Sequence, residues 1–175
     1  MHAPIKPLIS VEEYLSTSYR PDCDYVDGQL EERNLGEWDH NRLQTRISGY
    51  FLAREKEWGV LVVVEQRVRV KPDRYRVPDV CVLLRPPGEQ VLTQPPFICI
   101  EILSPEDRMS RVSLRIQDFL DMGVPYVWVL DPQTRRAYIA TAADGLREVR
   151  DGPPHRKPGL RIPARRPVRV NLEFN

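Results

Sequence analysis

Two runs decide the fold: Val77-Pro78-Asp79-Val80-Cys81-Val82-Leu83-Leu84 and Pro96-Phe97-Ile98-Cys99-Ile100-Glu101-Ile102-Leu103. Each is apolar at nearly every position, the pattern of a strand covered on both faces, and each carries one acid. Pro78 fits only near the beginning of its strand, where a missing N–H costs no ladder bond. Between the runs lie Pro86-Pro87-Gly88 and Pro95-Pro96, a loop with no helical pattern. If the runs pair antiparallel about a loop centred near residue 90, residues whose numbers sum to 180 face each other. Asp79 then meets Glu101 and Cys81 meets Cys99, all on one face of the sheet. Directly opposed Cβ atoms lie roughly 4.5–5.5 Å apart. Ionised carboxylates that close repel, and a hard divalent cation such as Mg²⁺ or Mn²⁺ offsets the repulsion. The competing readings are that an arginine takes one of the acids, or that the register slips and the two never meet. For the cysteines, packing is the simpler reading.

Working outward, LVVV (61–64) and RVRV (67–70) are short β-branched strands, YVWVLD (126–131) is another buried strand, and RAYIAT (136–141) returns from it after Asp131-Pro132. Ser10 with Glu13 has capping-box spacing and starts a short helix. Asp24 to Leu30 reads as a hairpin turning at Asp27-Gly28. A longer helix is expected from Asp39, as its cap, through Trp58. It would bury Leu43, Ile47, Tyr50, Phe51 and Trp58 and stop at Gly59. A second helix over 110–122 buries Val112, Ile116, Phe119 and Leu120, with Gly123 after its end. The stretch from Asp151 to Arg169 holds five prolines and should be extended. The order predicts an α/β (α+β) chain: one domain over 1–175, with a mixed central β-sheet flanked by helices.

The 175 residues are 41% apolar and 29% charged, which is globular rather than disordered composition. A net charge of +1 excludes a protein that coats nucleic acid by bulk electrostatics, although residues 135–175 carry +6 and the remainder −5. A basic end of this kind meets phosphate or an acidic partner, or is simply a solvated surface. Cys23, Cys81 and Cys99 make neither a CxxC pair nor a zinc spacing, so reduced, buried thiols are expected. No signal-peptide pattern or membrane-span-length apolar run is found, so a cytoplasmic location with no membrane is expected.

VPDV (77–80), IEILSPEDR (100–108) and RIQDFLDMGVPYVWVLDP (115–132), with the Asp27-Gly28 hairpin and Glu37-Trp38-Asp39-His40, resemble the Uma-two family of proposed bacterial restriction endonucleases. That family belongs to the PD-(D/E)XK nuclease superfamily. The resemblance covers most of the chain and implies a restriction-endonuclease-like core. It also implies a metal-dependent DNA endonuclease that hydrolyses phosphodiester bonds with metal-activated water. Asp79 resembles the PD acid and Glu101 the second acid, the pair that would hold Mg²⁺ or Mn²⁺. The superfamily's lysine usually lies two residues after that acid, where Leu103 stands here. In the Uma-two family it moves to the following helix, where Arg115 aligns. Arginine supplies positive charge, but with a pKa above about 12 it does not readily give up a proton.

His40, and more weakly Glu37, resemble positions near the family's site, against the plain reading of residues at a helix cap. Arg108 and Arg111 are candidate phosphate contacts, Arg111 sharing the Arg115 face at i,i+4 spacing, against a solvated helix face. Glu65, between two strand runs, is a third acid or a loop residue, and the loop reading is simpler. Gln117 points elsewhere. His155 sits among prolines without a role. DNA is the implied partner, and since many nuclease folds of this kind act in pairs, a homodimer is a candidate assembly. The alternative to an enzyme is a degenerate nuclease fold that binds nucleic acid or protein without cleaving. A purely structural interaction module using the basic C-terminal segment ranks third, because it leaves the acids unexplained.

Overall fold

The computed structural model describes residues 8–34 and 36–149, together with the backbone of strands at 159–163 and 167–171. The elements run α1 (Val11–Ser16), β1 (Cys23–Val26), β2 (Gln29–Glu32), α2 (Trp38–Leu52), α3 (Glu55–Trp58), β3 (Leu61–Val64), β4 (Val68–Lys71) and β5 (Arg74–Arg76). They continue with β6 (Val80–Leu83), β7 (Ile98–Ile102), α4 (Met109–Met122), β8 (Tyr126–Asp131), β9 (Arg136–Thr141), β10 (Gly145–Glu148), β11 (Gly159–Pro163) and β12 (Pro167–Asn171).

The central sheet has six strands in the order β10-β9-β8-β7-β6-β3. Its register is the expected one, with Val80 opposite Ile100, Cys81 opposite Cys99 and Val82 opposite Ile98. Only β7 and β8 are parallel, because α4 carries the chain back across the sheet between them. Since side chains alternate, each face has its own core. Val80, Val82, Ile98, Ile100 and Trp128 pack against Leu43, Ile47 and Phe51 of α2. Cys81, Cys99, Val127 and Val129 pack against Val112, Ile116 and Phe119 of α4. The three cysteines are buried free thiols.

Local signals explain the ends of these elements. The Ser10 hydroxyl accepts the Glu13 N–H at 3.1 Å and starts α1. Asp27 (φ 51°) and Gly28 (φ 86°) form the tight β1–β2 turn that only residues tolerant of positive φ can make. The long helix expected over 39–58 is two helices. Glu37, not Asp39, is the residue before α2, and the chain breaks at Ala53-Arg54 before α3. There the Arg54 N–H bonds the Phe51 carbonyl, and the Arg54 guanidinium folds back over the Tyr50 ring at 3.9 Å, closing the helix early. Gly59, at φ 65°, then stops α3 as expected.

A second sheet, in the order β2-β1-β5-β4, was not anticipated. Its three-residue strand Arg74-Tyr75-Arg76 is too short and too charged to read as a strand. Tyr14, Tyr25 and Tyr75 form its own small core. Of the proline-rich tail, β11 and β12 pair as an antiparallel hairpin, in keeping with an extended segment, whereas His155 and the basic side chains from 150 onward lie outside the described residues. Among the described residues no helix is long and apolar enough to cross a membrane.

The small sheet meets α4 through Val68 and Val70 of β4, which share the core of Val112, Ile116 and Phe119, and through buried charge. The Arg76 guanidinium, 2% exposed, donates to Asp118 Oδ2 at 2.9 and 2.7 Å and to Asp24 Oδ2 at 2.9 Å. Asp118 also takes Arg74 at 2.9 Å, and the second Asp24 oxygen takes the Val77 N–H at 2.9 Å. Removing one member leaves the rest charged and dry, so Asp118→Ala should cost about 3–5 kcal/mol by urea unfolding. The joint change of Arg76 to Met and Asp118 to Leu should cost less than the sum of its parts, as a double-mutant cycle would show.

Candidate active site

The acids are placed by the hairpin. Glu101 lies in β7, and Asp79 immediately precedes β6 in line with the same register. Both are buried, at 2% and 4% exposure, yet both line one polar cavity of about 250 Å³ between the two sheets and the start of α4. The Asp79 main chain is fixed because its carbonyl accepts from Gln44 Nε2 (3.0 Å) and from the Glu65 N–H (3.2 Å). Its side chain is fixed too. Oδ2 accepts the Ile102 N–H at 2.7 Å, while Oδ1 accepts from Arg33 and lies 3.4 Å from His40 Nε2.

Glu101 is held differently. Arg115 Nε sits 3.0 Å from Oε2, but its N–H is not aimed at that oxygen, so the contact is an ion pair rather than a hydrogen bond. The Arg115 fork is steadied by Asp107 Oδ1 at 3.2 Å, and Asp107 is itself clamped by the Ser104 N–H at 2.8 Å. Glu101 Oε1 is buried with no hydrogen-bond partner.

These surroundings split the two acids. Burial drives both carboxyls up. For Asp79 the His40 bond, the Arg33 charge and the Ile102 amide reverse the shift and hold it below the ordinary carboxylate range. For Glu101 burial prevails, with Arg115 only partly offsetting it and the Asp79 charge adding to it, and the group is pushed up to about 7. Burial pulls His40 down, but its bond to Asp79 outweighs that and leaves it above its usual value. Burial likewise disfavours the Arg115 cation, and the Glu101 charge more than compensates.

Of the residues singled out from sequence, Asp79, Glu101, Arg115, His40, Arg108 and Arg111 all line the cavity, and so does Glu65. Glu65 does so from a turn with φ 50°, a conformation few residues outside glycine adopt. Glu37 does not join them. It is the exposed residue before α2, makes no side-chain cap bond and is not part of the lining. Gln117 is exposed and bonded to Asp121. Two contributors escaped the sequence reading. Arg33, just after β2, reaches Asp79 across a separation of 46 residues, and Asp107 reaches Arg115 from the β7–α4 loop. Neither carries a local signal, since an arginine in a turn has no pattern pointing inward. Among the described residues no group of three or more His, Cys, Asp and Glu side chains is arranged to hold a metal ion.

A family model described as "Uma2: Putative restriction endonuclease" matches residues 11–162. The chain belongs to the Uma2 family. Its fold is also that of a solved structure described as a "putative nuclease belonging to DUF820" from Anabaena variabilis. The two share 20% sequence identity and a TM-score of 0.72, over 82% of this chain and 85% of the other. No curated protein matches. Uma2 is thus a restriction-endonuclease-like nuclease family, and the expected fold class stands, with the second sheet added.

Because the folded protein binds the Glu101 proton more tightly than the unfolded chain does, it gains stability from that group at acid pH. The gain is lost as pH rises through about 7. In EDTA, Glu101→Gln should match wild type near pH 4 and be more stable by about 2–3 kcal/mol at pH 8. Urea unfolding of both proteins across that range measures the difference.

Proposed function

We propose that this chain is a metal-dependent DNA endonuclease of the cytoplasm, hydrolysing a phosphodiester at the Asp79–Glu101 cavity. The observation that carries the reading is Glu101 Oε1, a buried carboxylate oxygen without a partner in a cavity that Asp79 also lines. An unsatisfied buried acceptor costs roughly 1–3 kcal/mol, more when charged, unless something fills its place. The donor set fits Mg²⁺ or Mn²⁺, because two carboxylates and space for water suit hard cations. Glu101 through Oε1 and Asp79 through Oδ1 would hold the ion, which when bound would supply Lewis-acid activation of water and neutralise charge at the phosphate.

The chain's own side chains support the rest of the chemistry. Arg115 stays charged and, anchored on Asp107, presents a fixed guanidinium to a phosphate oxygen. It is poorly suited to taking up or releasing a proton, so proton transfer in this chain falls elsewhere. His40, held by Asp79, is the titratable group best placed to take it up. Arg108 and Arg111 rim the cavity and would position the flanking backbone.

A second reading, binding of nucleic acid without cleavage, is favoured by one observation: each acid already carries its own guanidinium. Plasmid nicking in Mg²⁺ or Mn²⁺ separates the two. For an enzyme, Asp79→Ala should reduce nicking at least about 100-fold, and Arg115→Lys, which restores a compact ammonium, should raise it. Equal weak nicking in wild type and both variants would overturn the enzyme reading, and retarded plasmid without nicking would establish the binding reading.

A further inference from the structure

The cation most intimately engaged with the site is Arg33, a residue with no counterpart in the motif that carries the nuclease reading. Its main-chain N–H is tied to the Asp22 carbonyl at 3.2 Å, so the side chain starts from the edge of the small sheet rather than from α4. It ends on Asp79 Oδ1, and among the described residues its guanidinium has no other hydrogen-bonded partner. The side chain is 20% exposed and lines the cavity.

The two Asp79 oxygens are not equivalent. Oδ2 is consumed by the Ile102 N–H, a main-chain contact that the β-sheet fixes. Oδ1 is therefore the oxygen free to change partners, and Arg33 covers it, with His40 Nε2 3.4 Å away on the same oxygen. The lining explains why a cation belongs there, with eight carboxylates against four guanidiniums. Such a cavity draws in a divalent ion but repels a phosphodiester until positive charge is added or uncovered. An ion reaching Asp79 Oδ1 would meet the Arg33 guanidinium as a like charge on the same oxygen. A guanidinium released from its carboxylate carries a planar fork of donors that fits phosphate bidentately.

We propose that Arg33 is an exchange cation, neutralising Asp79 until a divalent ion arrives and then yielding Oδ1 and turning its fork to the substrate phosphodiester. The idea rests on the nuclease reading and adds a coupling to it: metal uptake would unmask a DNA contact. A permanent structural clamp predicts something else, because losing it would weaken metal and DNA binding together.

The test uses the full chain with Mn²⁺ as the metal probe and a labelled phosphorothioate duplex as the nucleic-acid probe. Calorimetry with Mn²⁺ alone should show Arg33→Ala binding about 3–10-fold more tightly than wild type, because a competing cation is gone. Anisotropy in saturating Mn²⁺ should show the same variant binding the duplex about tenfold more weakly, having lost a bidentate phosphate contact. The melting temperature of Arg33→Ala should fall in EDTA and recover on adding Mn²⁺ by more than wild type gains. Arg33→Lys, which retains charge without the fork, should leave Mn²⁺ affinity near wild type and still weaken the duplex. Unchanged or weaker Mn²⁺ binding by Arg33→Ala, with wild type binding normally, overturns the exchange while leaving the nuclease reading intact. If neither wild type nor Arg33→Ala binds Mn²⁺, both fall.

Discussion

The arrangement depends on one buried guanidinium. Arg76 lies between Asp24 of β1 and Asp118 of α4, and those three charges tie the small sheet to the helix beside the apolar core that Val68 and Val70 of β4 share with Val112 and Phe119 of α4. Burial makes the contact demanding. A charge this dry is tolerated only where its partners are in place, so the cluster sets how the sheet sits on the helix. Docking sets two further positions. It places α4 so that Arg115 reaches Glu101, three residues before Asp118 along the helix. Through the Asp24 bond to the Val77 N–H, it also fixes the entry of the chain into Pro78-Asp79. The acids owe their relative position to β-sheet register, and their surroundings to this ion cluster.

Much of this was legible in sequence, for reasons that can be named. The β6–β7 register could be read because the two runs lie symmetrically about a loop centred near residue 90, and the pairs Val80–Ile100 and Cys81–Cys99 keep that sum. Helix α4 could be read because Val112, Ile116 and Phe119 recur at helical spacing before a glycine that adopts φ 101°. What escaped reading was long-range and polar. Arg76 and Asp118 stand 42 residues apart, and each looks like an ordinary surface charge in its own neighbourhood. The break after α2 escaped for a different reason. Tyr50 and Trp58 keep the apolar pattern going across it, and only the folded Arg54 side chain shows why the backbone stops.

The two acids also show how one strand pair gives unlike groups. Opposed carboxylates on a bare hairpin would be near equals. Here Asp79 collects a main-chain N–H, an arginine and a histidine, whereas Glu101 has one ion pair and one oxygen with nothing to bond. The result is one acid held ionised and one that resists ionisation, the kind of divergence by which environments assign distinct roles to the same functional group.

Arginine at position 115 is intelligible in the same terms. A lysine in a cavity this rich in carboxylate would be a compact ammonium, strongly hydrated and free to move among several acceptors. The guanidinium spans two of them, Glu101 at 3.0 Å and Asp107 at 3.2 Å, and so ties the β7–α4 loop to the sheet while it supplies charge. That gain in order has a chemical cost, because a group held in two ion pairs and unwilling to deprotonate cannot also serve as a proton carrier. His40, beside Asp79, is the titratable contrast: its bond to that carboxylate raises it above its usual value and favours the imidazolium.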